Sequence, residues 1–331
     1  MNISVLIPTY NSAATIEATV ESALRQTLPA DEVIILVDGG TDDTVARLEQ
    51  FRGRVTIIQQ ANAGISAARN RLVKLANGRL LAFLDSDDLW HPDYLKTQWE
   101  SFDRHPEAVA LFTGHNNFYG AENYSWPDVS AGDLPPRELI SGADFFRRYN
   151  EAAGPFASMT YCCLPKAAVS RLGEEPFALD CGPTEDSYLL YWLSLFGPVV
   201  YMPEPLAAYR IRRGSISDNR LRACKSWVRV FEKLEGQFVA ANQPETSALF
   251  QKAFASKRRE LSKILLVAGQ AAEARDQLRR SLLESPHLAS LMKSCGLMGL
   301  SFFPRWLQTV LSADLRTGAE TRNVYANNGS K

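Results

Sequence analysis

The sequence predicts an α/β protein with a Rossmann-like, mostly parallel sheet followed by a C-terminal helical extension. Three observations predict it. Apolar runs and helical periodicities alternate four times within residues 3–84, which is the pattern of a parallel sheet with crossover helices. The fourth run, Leu80 to Leu84, meets three carboxylates in four positions, Asp85, Asp87 and Asp88, as a strand buried on both faces does when it ends at a charged rim. Beyond Asn219 the strand signals stop and helical periodicity takes over.

The 331 residues, 46% hydrophobic and 22% charged, are enough for one large α/β domain with a smaller attachment. The net charge of −1 conceals a split: residues 1–219 carry 18 Lys+Arg against 28 Asp+Glu, and residues 220–331 carry 18 against 9. Two modules with different partners are expected, and neither is expected to bind nucleic acid. Cys162, Cys163, Cys181, Cys224 and Cys295 show no metal-ligand spacing and no disulfide framework. The chain opens directly on an apolar strand, and no run reaches the length of a membrane span. A cytoplasmic setting is expected.

The first unit is a strand from Ile3 to Ile7, broken at Pro8-Thr9-Tyr10, with Asn11 or Ser12 capping a helix over 13–26. Ligands of such sheets bind beyond the carboxyl ends of the strands, so Thr9 and Tyr10 sit at the functional edge. Tyr10 can stack on a base or close the top of the core. No GxGxxG follows the first strand, which counts against a dinucleotide. The second unit, Glu32 to Asp38, ends in Gly39-Gly40, with Thr41 or Asp42 capping the next helix. Asp38 at its tip can accept from a pyrimidine imide or a ribose hydroxyl. In the third unit, Val55 to Gln59 precedes a small-residue helix entry in which Arg69 is placed to meet a diphosphate. The fourth ends in the carboxylates. Charges this close repel unless a cation lies between them, and hard oxygen ligands suit Mg²⁺ or Mn²⁺. Side chains two apart on an extended segment point the same way, so Asp85 and Asp87 can share one ligand. A solvated acidic turn is the alternative.

Four motifs in this order, Pro8-Thr9-Tyr10-Asn11, Val37-Asp38-Gly39-Gly40-Thr41-Asp42, Asn62-Ala63-Gly64 with Ala68-Arg69-Asn70, and Leu84-Asp85-Ser86-Asp87-Asp88, resemble family 2 of the inverting glycosyltransferases of GT-A fold, the type that builds bacterial cell-surface glycans. The resemblance implies a nucleotide-sugar, most simply a UDP-sugar, bound by Pro8, Thr9, Tyr10, Asp38, Arg69, Asp85 and Ser86. It implies Asp85 chiefly on the ribose and Asp87 on the metal. The family usually has two adjacent Asp in the second motif, where this chain has Asp38 alone in a shorter loop.

Downstream, a helix over 92–104 and a short strand over 109–113 precede an irregular stretch, 114–137, whose Tyr119, Tyr124 and Trp126 can stack on sugars. Thr184-Glu185-Asp186 opens a helix with an acidic first turn, which compensates the helix dipole. The family carries an acidic pair here, and inverting transfer needs a base for the acceptor hydroxyl. The resemblance therefore implies Asp186 as base with Glu185 orienting the acceptor, although swapped roles would read identically. Strands over 199–202 and 206–211 lead to Arg212-Arg213. The family commonly has His at Arg212; Arg cannot ligate a metal, so Arg212 or Arg213 is expected to grip the leaving diphosphate.

The expected domains are a catalytic domain, 1–217, with a nucleotide-sugar half (1–113) and an acceptor half (114–217), and a helical extension, 218–331. The apolar segment through Leu291, Leu297, Phe302, Phe303 and Trp306 in the basic module either meets an anionic membrane carrying a lipid-linked acceptor or packs on protein. The expected function is transfer of a sugar from a metal-bound nucleotide donor to a hydroxyl of a glycan or lipid-linked glycan. A non-catalytic nucleotide-sugar-binding scaffold is the rival, and retention of both Asp87 and Asp186 speaks against it.

Overall fold

A computed structural model describes residues 2–120, 124–127, 134–151, 158–211, 219–284 and 288–302. The chain divides into two compact units, 1–218 and 219–331.

In the first unit, β1 (Ile3–Thr9), β2 (Glu32–Asp38), β3 (Thr56–Gln60) and β4 (Leu80–Phe83) alternate with α1 (Ile16–Leu24), α2 (Thr44–Leu48) and α3 (Ile65–Leu75). All four strands are parallel, in the order β3-β2-β1-β4. Every residue of β1 and β4 is buried, which is why both read as unbroken apolar runs. The chain reverses its direction of travel across the sheet between β1 and β4. The tips of those strands flank the switch point at which open sheets bind ligands.

The sheet continues through β5 (Leu89–Trp90), α4 (Tyr94–Arg104), β6 (Ala110–Phe118), β7 (Glu138–Ile140), α5 (Gly142–Glu151), β8 (Cys162–Pro165), α6 (Lys166–Val169), α7 (Glu185–Leu193) and β9 (Val199–Arg210). Beyond β4 the strand order is β8-β6-β9-β5, and β8 runs antiparallel to both its neighbours, β4 and β6. The α/β class with a mostly parallel sheet is as the sequence predicts.

Two strand readings are corrected. Residues 206–210 do not start a new strand: β9 runs through Pro203 and Pro205, because its parallel pairing with β6 slips at Thr113, Gly114 and His115. A bulge absorbs prolines that an even ladder cannot. The same pairing carries β6 on to Phe118, through the start of the stretch expected to be irregular. Gly114 is needed there, since a Cβ would lie 2.4 Å from the Pro203 carbonyl oxygen. Two expected caps also differ. Ser12 receives the Thr15 and Ile16 N–H groups on its backbone carbonyl, and Thr184 donates its hydroxyl to the Cys181 carbonyl instead of capping α7.

The second unit is helical: α8 (Arg220–Ala240), α9 (Pro244–Val267), α10 (Ala271–Glu284) and α11 (Leu288–Leu300). Phe231, Phe238, Phe250 and Phe254 form its aromatic core. Buried Arg258 of α9 ties the bundle together through Glu284, Glu232 and Gln277. Among the described residues no helix is long and apolar enough to cross a membrane.

Gly114→Ala should destabilise the protein by about 1–3 kcal/mol, the usual cost of forcing atoms into a packed site. A urea melt superimposable on the wild type's would contradict the tight crossing of β6 and β9.

Candidate active site

The loops that leave β1, β2 and β4 are stitched to one another. Asn11 Oδ1 accepts from Thr41 N–H at 2.8 Å, Ser12 N–H donates to Thr44 Oγ1 at 2.8 Å, and Ala13 N–H donates to Asp42 Oδ2 at 2.9 Å. Gly40, at φ +117°, passes so close to Asn11 that a Cβ would lie 2.6 Å from its Oδ1. Ser12 Oγ and Ser86 Oγ are 2.7 Å apart, and Thr15 Oγ1 donates to the Ser86 carbonyl at 2.8 Å. These short polar side chains replace helix caps with cross-links between loops.

Asp85 to Asp88 form a turn, not the extended strand end in which alternate carboxylates point together. The strand stops at Phe83, and Asp88 N–H donates back to the Asp85 carbonyl at 3.1 Å. The turn divides the acids. Asp88 faces inward, where it accepts from Thr160 Oγ1 at 2.6 Å and Arg210 N–H at 2.7 Å. Burial, then repulsion from Asp87 and Asp85, pushes its carboxyl well above the usual range. Asp87 and Asp85 stay half-buried. Arg210, stacked on Phe118 at 4.3 Å, donates Nε to the Asp87 carbonyl at 2.6 Å and Nη1 to that of Gly120. The last residue of β9 thus holds the turn in place.

Arg69 joins this turn to the second acidic motif. Its side chain is 5% exposed; Nη2 donates to Asp85 Oδ1 at 2.7 Å and Nη1 to Glu185 Oε1 at 2.5 Å. Burial opposes its charge, and Asp85, Glu185 and Asp186 more than offset that. Both terminal nitrogens expected to meet a diphosphate are therefore committed to carboxylates. Arg69 Nε, Glu185 Oε2 and Thr9 Oγ1 are buried without a hydrogen-bond partner among the described residues.

Asp186, next along α7, is half-buried and accepts from Ser187 N–H at 2.7 Å. Burial and then Glu185 raise its carboxyl to about 7, against the opposing pull of Arg69. Tyr209 of β9 registers both motifs at once. Burial first, then Asp88, Asp85, Asp87 and Asp186, pushes its phenol up.

The other expected residues fall as follows. Pro8 is buried in β1, paired with Leu36. Tyr10 is 52% exposed, so it does not close the core. Asp38 is buried and accepts from Gln60 Nε2 at 2.6 Å, Ala63 N–H at 2.9 Å and Gly64 N–H at 2.8 Å, bracing the entry to α3. Arg212 and Arg213 lie outside the described residues. Thr160, Tyr209 and Arg210 were not foreseen; no local pattern marks them, because their roles depend on partners 23 to 124 positions away.

Among the described residues no three Asp, Glu, His or Cys side chains gather to hold a metal alone. The donor set still fits one kind of ion. Half-buried Asp87 offers hard oxygen, which suits Mg²⁺ or Mn²⁺ completing its shell with water and phosphate oxygens.

Arg69→Leu should cost roughly 3–5 kcal/mol of stability, since it strands two buried or half-buried carboxylates without their cation. A denaturant midpoint equal to the wild type's would contradict the bridge. Because Asp186 is raised in the folded state, the wild type should lose stability as pH climbs from about 4, the unfolded value, toward 7. Asp186→Asn is spared that loss, so its melting temperature should exceed the wild type's by a margin that grows over this window and levels off above it. A pH-independent difference would show that Asp186 titrates normally.

Residues 4–168 match the model of the glycosyl transferase family 2. The chain is 32% identical over 240 residues, 70% of its own length and 88% of the relative's, to TuaG of Bacillus subtilis (strain 168), a glycosyltransferase named for teichuronic acid biosynthesis. It is 30% identical over 227 residues, 66% and 81% of the two lengths, to the Escherichia coli UDP-Glc:alpha-D-GlcNAc-diphosphoundecaprenol beta-1,3-glucosyltransferase WfaP. Its fold is similar to that of S. aureus TarS 1-349 in complex with UDP-GlcNAc, with a TM-score of 0.63 at 16% identity, covering 91% of this chain and 90% of that one. The chain belongs to glycosyltransferase family 2 and is a glycosyltransferase.

Proposed function

We propose that this enzyme transfers a sugar from a UDP-sugar, held with Mg²⁺ or Mn²⁺, to a hydroxyl of a bacterial cell-surface glycan or lipid-linked glycan, inverting the anomeric carbon. The observation that carries this reading is the Arg69 bridge, which draws the acidic turn after β4 and the acidic first turn of α7 into one site. A donor subsite and a base beside it are what single-displacement transfer requires.

In this reading the acceptor oxygen bonds to the anomeric carbon as the bond to the diphosphate breaks. Asp186 takes the hydroxyl proton. Its value of about 7 suits a base that must be ionised near neutrality yet still hold a proton. Glu185, fixed by Arg69, orients the acceptor through Oε2. Arg69 acts by setting Asp85 and Glu185 rather than by gripping phosphate. Thr9 Oγ1, exposed Tyr10, Asp38, Asp85 and Ser86 face the nucleotide. A bound divalent ion, with Asp87 as its protein ligand, supplies positive charge to the departing diphosphate.

The names of WfaP and of the TarS complex, which print a UDP-Glc donor with a diphosphoundecaprenol-linked acceptor and a UDP-GlcNAc ligand, support the donor and acceptor classes. The reaction is assigned to the cytoplasmic side, with the basic helical unit peripheral on an anionic membrane. Exposed Phe302 of the apolar segment and Leu283 of α10 favour that contact, whereas Leu297 is buried; the segment from residue 303 lies outside the described residues. Absence of co-sedimentation with anionic vesicles would remove the membrane part.

A thermal-shift panel of nucleotide-sugars tests the rest, since a ligand at 100 times its Kd stabilises by about 2.7 kcal/mol. UDP-sugars with Mn²⁺ should raise the melting temperature, and Asp87→Ala should abolish the Mn²⁺-dependent part. Asp186→Asn should keep the shift and lose transfer by about 10²- to 10⁴-fold, the usual worth of a general base. An active Asp186→Asn enzyme would put the base elsewhere.

A further inference from the structure

One side chain beside the site has no part in the mechanism above and is built as though for a ligand. His115 lies in β6, just past the bulge, where its register partner on β9 is Ala207; two positions on, Asn117 pairs with Tyr209. Residues in register on neighbouring strands share a face, and so do residues two apart. His115 therefore shares the face of Tyr209, the phenol that lies in the field of Asp85, Asp87, Asp88 and Asp186.

The imidazole is stacked flat on Tyr161, with ring centroids 4.4 Å apart and planes within 7°. Tyr161 is buried, and the residue before it, Thr160, is the clasp that holds Asp88 and the Asp85 N–H. The ring is thus seated on the same short turn that fixes the donor-side acids. It is half-buried, and neither nitrogen has a hydrogen-bond partner among the described residues. Burial lowers its pKa to about 4, so the ring is neutral and carries one N–H donor and one nitrogen acceptor. A rigid, uncharged ring with an unused donor and acceptor matches a sugar hydroxyl, which both donates and accepts. A phosphate would call for a cation, and a metal for further ligands that the described residues do not gather.

We infer that His115, seated on Tyr161, forms an acceptor subsite in which the imidazole edge hydrogen-bonds a hydroxyl of the saccharide that receives the transferred sugar. This rests on the proposed function, and it assigns to the acceptor side a residue that touches neither nucleotide nor metal.

The test uses the full chain with isotope-labelled histidine and a panel of aryl glycosides of common bacterial hexoses and N-acetylhexosamines. At least one glycoside should shift the His115 ring-nitrogen resonances. His115→Phe keeps the stack on Tyr161 and removes both nitrogens; it should bind that glycoside about three- to tenfold more weakly, the worth of one neutral hydrogen bond. His115→Gln, which restores a donor and an acceptor, should recover part of the loss. UDP affinity, titrated on the same samples with Mn²⁺, should be equal in all three proteins. No shift with any glycoside, or undiminished binding by His115→Phe, overturns the subsite. Failure of the wild type to bind UDP would instead count against the donor reading, so the two failures are distinct.

Discussion

The site depends on one buried cation. Arg69 projects from α3 into a position where Asp85 and Glu185, 100 residues apart in the chain, each engage one of its terminal nitrogens. An unpaired guanidinium could not persist there, nor could two carboxylates brought together without it. Each charge makes the burial of the others tolerable. The bridge therefore fixes the distance between the turn after β4 and the start of α7, and so between whatever binds to one and whatever reacts at the other.

Around that bridge, neutral hydrogen bonds set the shape. Thr160 and Arg210 turn Asp88 inward and leave Asp87 half-buried, so three successive acids of similar chemistry take different environments. One is raised by burial and by its acidic neighbours, one is paired with arginine, and one stands half-buried at the rim. Asp186 occupies a fourth condition, raised to about 7 by burial beside Glu185. Such separation of carboxylates by environment is how a protein obtains different chemistry from the same side chain. Its cost in stability falls on the folded state.

Much of the first four strands was legible in the sequence, because strands buried on both faces write themselves as apolar runs ending in polar turns. The acidic motifs were legible as well, including the placement of Arg69 at the entry of α3. What Arg69 touches was not: its two partners lie 16 and 116 positions downstream, and local pattern carries no information about such pairings. For the same reason the sequence did not show that Asp38 also braces the entry to α3. The carboxylate run was read by strand periodicity, whereas the backbone had already turned. The prolines of β9 read as a break because the bulge that accommodates them belongs to another strand, β6. His115 left no signal, since its stack on Tyr161 exists only in the folded chain.

The most direct test of the central claim is a double-mutant cycle on unfolding free energy between Asp85→Asn and Glu185→Gln, measured with Arg69 in place. If one guanidinium binds both acids, the two substitutions are coupled, and their combined effect departs from the sum of the singles by more than about 0.5 kcal/mol, the spread expected of independent sites. Additivity within that spread would mean that the two acids do not share a cation, and the single site built on it would not stand.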